Sequence, residues 1–326
     1  MQHSLFPNPC LEDLEQEGLE ILLKAKERFR PVLTVALFSG GKDSTCMVHL
    51  VRDHIDAAGH IITGIGLPES TEYVREVCQK WKLPLLEFVT DPAIYRERIV
   101  LGMQNVGFPG PAAHAFCYHQ LKSHRLEELE RDILGRKRVL KARPGFPGPR
   151  QQNITYHRLK QERLQELQRD RSKRGQVILL VTGVRSMESK RRMVGIGKHA
   201  IEAPRGRLSR CAWANPISGF TTLDLANYRQ KHEIALSKPS ALIHKSGECL
   251  CGAFAKPGEL EELEYWFPKT GAYIRQMEKE AQKLGKKYCR WGWGHDRRSG
   301  VAAPGPLCQG CSLFPEMEKP EMEQAT

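Results

Sequence analysis

The chain has 326 residues, 40% hydrophobic and 27% charged, with a formal net charge of +12. No run of eighteen apolar residues occurs, which excludes a membrane-spanning helix, and the first thirty residues do not form a secretory signal. Ten cysteines without an export signal argue against a disulfide scaffold and for a cytoplasmic protein whose thiols are metal ligands or catalytic groups.

In chain order, residues 11–29 predict an amphipathic helix with Leu14, Leu19, Ile21, Leu22 and Leu23 on or near its apolar face. Residues 32–38 predict a buried strand. Ser39 to Ser44 then turn into a helix carrying Met47, Val48, Leu50 and Val51. Strands follow at 61–67 and 85–89, separated by a helix at 70–82. Helices are expected at 92–104 and 118–134, with a Gly/Pro loop at 107–111 between them. Residues 136–174 carry thirteen Lys/Arg against three acids, a local charge of +10. This basic insertion reads either as a solvated excursion or as a surface that captures nucleic acid or joins a nucleoprotein complex. Within it, 156–171 predicts a polar helix, and 177–182 returns to the sheet. From Pro216 onward short helices and loops are expected. Strands alternating with helices specify an α/β fold with a doubly wound parallel sheet. Residues 1–30 are assigned to an N-terminal helix and 31–215 to the α/β domain with insertion 136–175. Residues 216–326 form a C-terminal cysteine-rich subdomain.

The turn after the first strand has the residue types a phosphate needs. Gly40 and Gly41 let backbone N–H groups approach an anion, and the following helix start adds partial positive charge. Lys42 supplies a compact cation, Ser39 and Ser44 supply hydroxyl donors, and Asp43 would hold Mg²⁺ or cap the helix. It is not a Walker A loop, because Lys42 is followed by Asp43.

Ser39-Gly40-Gly41-Lys42-Asp43-Ser44 after a first strand resembles the PP-loop of the adenine-nucleotide α-hydrolases, which have a Rossmann-like fold. Three further segments resemble the phosphoadenosine-phosphosulfate (PAPS) reductases within that group. They are Leu67 to Tyr73, Phe116-Cys117-Tyr118-His119-Gln120-Leu121-Lys122, and the loop from Thr182-Gly183-Val184-Arg185 through Glu188 and Lys190 to Arg192. The resemblance continues through Asn215-Pro216-Ile217 to Asp224, with Phe220 where the family carries tryptophan. It implies ATP with Mg²⁺, cleaved between the α and β phosphates, with Gly183, Arg185 and Glu188 at the nucleotide and Arg185 and Arg192 steadying charge on pyrophosphate. The reductases' C-terminal Glu-Cys-Gly-x-His motif is missing. The chain therefore looks more like family members serving other pathways, including DNA phosphorothioation and CRISPR-associated proteins.

Cys249-Leu250-Cys251 and Cys308-Gln309-Gly310-Cys311 bring two close thiol pairs, a donor set for an iron–sulfur cluster or Zn²⁺. Resemblance to the family favours a [4Fe–4S] cluster. Cys211 and Cys289 are alternative ligands, whereas Cys10, Cys46 and Cys78 read as buried thiols and Cys117 as either packed or reactive. The expected function is adenylylation of a substrate at the expense of ATP, extending to sulfur transfer. The alternatives are a sulfonucleotide reductase and a non-catalytic nucleotide-binding module of a nucleoprotein complex. The acceptor and the oligomeric state are not encoded in any motif.

Overall fold

The computed structural model describes residues 10–102, 107–134, 154–157, 176–186, 200–204 and 206–292. Strands β1 (Leu33–Leu37), β2 (Ala57–Ile62), β3 (Leu85–Val89), β5 (Ile178–Val181) and β7 (Cys211–Ala214) are parallel. Strands β4 (Ile154–His157) and β6 (Ile201–Glu202) close the edges antiparallel. The order β4-β3-β2-β1-β5-β7-β6 puts β1 near the middle, with the chain winding outward on both sides of it. This is the doubly wound α/β arrangement that the alternation of strands and helices predicts.

Period-two burial explains the layers. Leu33, Val35, Leu86, Phe88, Ile178 and Leu180 face one side, where α5 (His124–Leu134) contributes Leu126, Leu129 and Ile133. Ala36, Ala58, Leu179, Val181 and Ala214 face the other. There they meet α1 (Leu11–Phe29), α2 (Lys42–Val51), α3 (Pro68–Lys80) and α6 (Thr222–Lys231). The buried stripe of α1 is Leu14, Gly18, Leu22 and Ala25, while Leu23 faces outward. Leu22 has no exposed surface, so Leu22→Ala should cost about 2–5 kcal/mol by leaving a cavity, read from urea unfolding at constant m-value.

Several expectations are corrected. The second strand ends at Ile62 rather than running 61–67, because Gly64 adopts φ 75° and turns the chain away. It begins earlier, at Ala57, where small residues are needed: a Cβ on Gly59 would stand 2.8 Å from Val35 Cγ1. Tyr156 and His157, expected in a helix, lie in β4 on the edge beside β3; the rest of 158–171 is outside the described residues. The helix expected over 118–134 is broken into α4 (His114–Tyr118), a π turn at His119–Ser123, and α5. Residues Ile94–Val100 are π-helical, and 103–106 fall outside the described set. Strands β6 and β7 were not anticipated. Cys10, expected to be buried, is exposed and caps α1 through its thiol.

Residues after 216 divide between two cores. Ile217, Phe220, Leu225 and Tyr228 join the first. Ile243, Leu250, Leu260, Phe267, Ile274 and Met277 build a second core with Ile65, Leu67, Tyr95 and Leu121, through helices α8 (Glu259–Trp266) and α9 (Pro268–Lys283). A short helix, α7 (Lys238–Leu242), precedes them in the chain. Among the described residues no helix is long and apolar enough to cross a membrane.

His49 on α2 places Nδ1 2.8 Å from the Tyr228 hydroxyl. Burial, with Arg52 and His232 adding to it, pushes its pKa from 6.5 down to about 4. The folded imidazole thus stays neutral while the unfolded one takes up a proton first. Its stabilisation is complete above 6.5 and lost as the pH falls towards about 4. The urea midpoint should fall less over that range in His49→Gln than in the parent; equal losses would contradict this assignment.

Candidate functional site

Open α/β sheets bind ligands at the carboxyl ends of strands, where the direction of winding reverses. Here that place lies between β1 and β5, and the loops leaving both strands meet there. Ser39 and Gly40 leave β1, Gly41 is the N-cap of α2, and Lys42 is its first residue, exposed to solvent. Gly40 has φ 75°, and a Cβ there would press on the Ser70 carbonyl at 3.2 Å. The loop is braced from within. The Ser44 and Thr45 hydroxyls donate to the Gly41 carbonyl at 3.0 and 2.9 Å, and Ser39 Oγ lies 2.9 Å from Ser44 Oγ. First-turn N–H groups of α2 therefore point into the crevice with Lys42 beside them.

The β5 loop closes on the same turn. Gly183 lies so near α2 that a Cβ would stand 3.1 Å from the Ser44 nitrogen. Arg185, only 6% exposed, donates from Nε to Asp43 Oδ2 at 3.1 Å and extends Nη1 towards Thr222 Oγ1 at 3.4 Å and the Phe220 carbonyl at 3.5 Å. Arg185 thus ties the β5 loop, the glycine turn and α6 together. The other carboxyl oxygen, Asp43 Oδ1, is buried with no protein hydrogen-bond partner. An oxygen in that state suits Mg²⁺, which usually takes one or two protein carboxylates beside phosphate oxygens and water. Glu188, Lys190 and Arg192 lie outside the described residues.

A strap that the motif reading missed crosses the outside of the turn. The Ser237 hydroxyl donates to the Gly40 carbonyl at 2.8 Å, and Ser246 packs on Gly41, where a Cβ would meet its own Cβ at 2.9 Å. Leu67 N–H donates to the Gly247 carbonyl at 2.8 Å, and the Thr63 hydroxyl donates to that of Glu248 at 2.6 Å. The available signal was Ser237-Lys238-Pro239, a cap followed by proline near a helix start. A cavity of about 280 Å³ opens beside the strap at the end of β2, lined by His60, Thr63, Thr71, Arg75 and Glu248 among others. His60 is buried, which lowers its pKa; it bridges the Phe38 carbonyl at 2.8 Å and Thr71 Oγ1 at 3.0 Å.

Beyond the strap lie the cysteines. Cys249 and Cys251 interact, which raises the pKa of the Cys249 thiol and lowers that of Cys251. Cys117 is buried in the same core, with its thiol pushed up to about 12 by burial, and Cys289 packs against that core. Lys122 pairs with Glu248 at 2.5 Å beside them. Cys211 lies apart, on β7 against Glu130. Cys308 and Cys311 fall outside the described residues, and among those described no three His, Cys, Asp or Glu side chains form a metal-holding group. Trp291 packs on Gly252 and donates from Nε1 to the Leu250 carbonyl at 2.8 Å.

The phosphoadenosine phosphosulfate reductase domain family matches residues 33–238, a span holding the phosphate turn, the Arg185 loop and Ser237. The chain belongs to that family. This makes it a member of an enzyme family that uses adenine nucleotides. A crystal structure of PAPS reductase from Candida auris, a phosphate complex, is similar at 12% identity and a TM-score of 0.43, over 73% of this chain and 95% of that one. No curated protein matches.

Proposed function

We propose that this PAPS reductase family member cleaves ATP between the α and β phosphates and transfers adenylate to an acceptor, activating it for later modification such as sulfur transfer. The observation that carries the reading is the phosphate turn. Two glycines, the α2 N-terminus and an exposed lysine stand at the carboxyl end of β1, braced by Ser237 and closed by the Gly183–Arg185 loop.

In this mechanism the N–H groups of the turn and Lys42 hold the phosphates, and Ser39 and Ser44 join them by exchanging the hydroxyl bonds that brace the turn for bonds to phosphate oxygens. As the α–β bond breaks, negative charge grows on pyrophosphate, and Lys42 with the α2 N-terminus stabilises it there. Arg185, held by Asp43, keeps the two loops in register, and Arg192 and Glu188 are proposed to complete the nucleotide contacts. Asp43 Oδ1 would hold Mg²⁺, which supplies charge neutralisation on the phosphate oxygens. Cys249 and Cys251 are proposed as half of a soft-metal site, iron–sulfur or zinc, completed by Cys308 and Cys311. No chemical step is assigned to it. Nucleic acid is the proposed partner of the basic stretch 136–174.

The test is product analysis. Purified protein with MgATP should release pyrophosphate, with AMP or an adenylylated acceptor in equal amount. Sulfite formed from a phosphosulfate nucleotide, without ATP cleavage, would replace this reading by reduction. ATP binding with no product at all would leave only a binding module. Anaerobic iron, sulfide and zinc analysis tests the thiol set: Cys249→Ser and Cys308→Ser should each remove the bound metal.

A further inference from the structure

One face of α3 borders a groove of about 600 Å³. Glu69, Glu72, Tyr73, Glu76 and Lys80 recur along it at helical spacing, and Glu69 to Lys80 covers about 16 Å. The facing wall is the segment that follows α6, from His232 to Leu236. The Tyr73 hydroxyl joins the two walls by donating to the Ala235 carbonyl at 2.7 Å. Beyond the C-terminus of α3, Trp81 stacks on Phe38 with ring centres 6.5 Å apart and meets His49 edge-on at 5.2 Å. His49 lies in turn 5.0 Å from His232, so aromatic groups line this part of the groove. Four acids line it as well, Glu69, Glu72, Glu76 and Glu233, against Lys80 and Lys238. Lys238 places Nζ 5.8 Å from the centre of the Phe267 ring. Glu72 also attracts Arg75, but that guanidinium is bonded to Glu87 at 2.6 Å. Glu69 Oε2 is buried without a hydrogen-bond partner among the described residues, a state that a cation would relieve. His232 is 3.1 Å from Glu15, and burial holds His49 neutral, with a pKa of about 4.

We infer that this groove binds a linear aliphatic polyamine. Charge selects a cation, and the walls select one with an apolar body. The carboxylates at positions 69, 72 and 76 are about 4.5 and 6 Å apart along the helix axis. That is comparable with the three- or four-carbon spacing between ammonium groups in such a molecule. The methylenes between them would lie against Tyr73, Val77 and Trp81, and an ammonium within reach of either ring gains a cation–π contribution. A volume of about 600 Å³ is that of a small-molecule site, and its length along α3 calls for an extended occupant. A bare divalent cation fits less well. Mg²⁺ needs converging oxygens in octahedral geometry, and among the described residues no three acid or imidazole groups converge to hold a metal. Lys42 and the other residues of the phosphate turn do not line the groove, so the inference goes beyond the ATP reading and does not depend on it.

The experiment is isothermal titration calorimetry of the full chain with spermine at two salt concentrations, beside butylamine, MgCl₂ and a lysine-rich decapeptide. Spermine should bind saturably at one site, more tightly than butylamine or Mg²⁺, and more weakly as salt rises. Glu69→Gln, Glu72→Gln and Glu76→Gln combined should weaken it about 10- to 100-fold, at about 2- to 5-fold per carboxylate. A control with the same change in charge on α1, Glu17→Gln, Glu20→Gln and Glu27→Gln, should bind as the parent does, and so should Lys42→Ala. Trp81→Phe should abolish the change in tryptophan emission that spermine produces in the parent. Circular dichroism checks folding, and single variants of the exposed Glu72 and Glu76 carry the test if the triple variant does not fold. The inference is overturned if spermine does not saturate the parent below millimolar concentration, if the groove variants bind like the parent, or if the α1 control loses as much. A decapeptide that binds while spermine does not would make the groove a protein interface and end the proposal.

Discussion

Lys42→Ala is expected to lower pyrophosphate release from ATP by about 10²–10³-fold, with little change in unfolding free energy. Lys42 is the first residue of α2, and its side chain lies in solvent rather than in packing. Removing it therefore leaves no cavity and no unpaired buried group, the usual causes of large destabilisation. The loss falls on catalysis, because the ammonium matters most when charge gathers on the departing pyrophosphate. Lys42→Arg is a useful companion. It keeps the charge but replaces a compact ammonium by a planar fork in a turn closed by Gly183 and Ser246, so only part of the rate should return. Unchanged turnover in the alanine variant would remove the phosphate turn from the mechanism.

The strand, glycine turn and helix start around Lys42 were legible because their information is local. Two glycines, a cap and a lysine at fixed spacing, placed after a β-branched run, specify a strand, a tight turn and a helix without help from the rest of the chain. Edge strands carry no such signal. β4 is four residues long, and nothing in Ile154-Thr155-Tyr156-His157 distinguishes an antiparallel edge from the start of a polar helix until β3 supplies a partner. β6, with two residues, is defined only by its pairing with β7. The strap was hidden for a different reason. Ser237 and Ser246 are ordinary polar residues roughly two hundred positions beyond the turn, and their role exists only because the second core folds back over α3 and the end of β2. The cysteines fall between these cases. Close spacing links Cys249 to Cys251, but the nearness of Cys117 is a product of packing that no spacing rule encodes.

Arg185→Met should separate the structural from the chemical part of the site. Arg185 is 6% exposed, and its guanidinium holds Asp43 at 3.1 Å while reaching α6. Removing one member of such a pair strands the other, at a cost of about 3–5 kcal/mol for full burial, and Asp43, partly open to the crevice, should place this variant near the lower end. Asp43→Asn should be milder, because an amide can still accept the arginine's hydrogen bond, but it should raise the Mg²⁺ concentration needed for half-maximal turnover. The double variant decides between roles. If Arg185 acts only by holding Asp43, then adding Arg185→Met to Asp43→Asn should cost less stability than it does alone, and the rate should fall little further. If Arg185 also touches the reacting phosphates, the rate must fall again while the stabilities remain coupled. Urea unfolding and pyrophosphate release measured on the four proteins of this cycle give both quantities, and fully additive stability losses would break the ion pair's place in the argument.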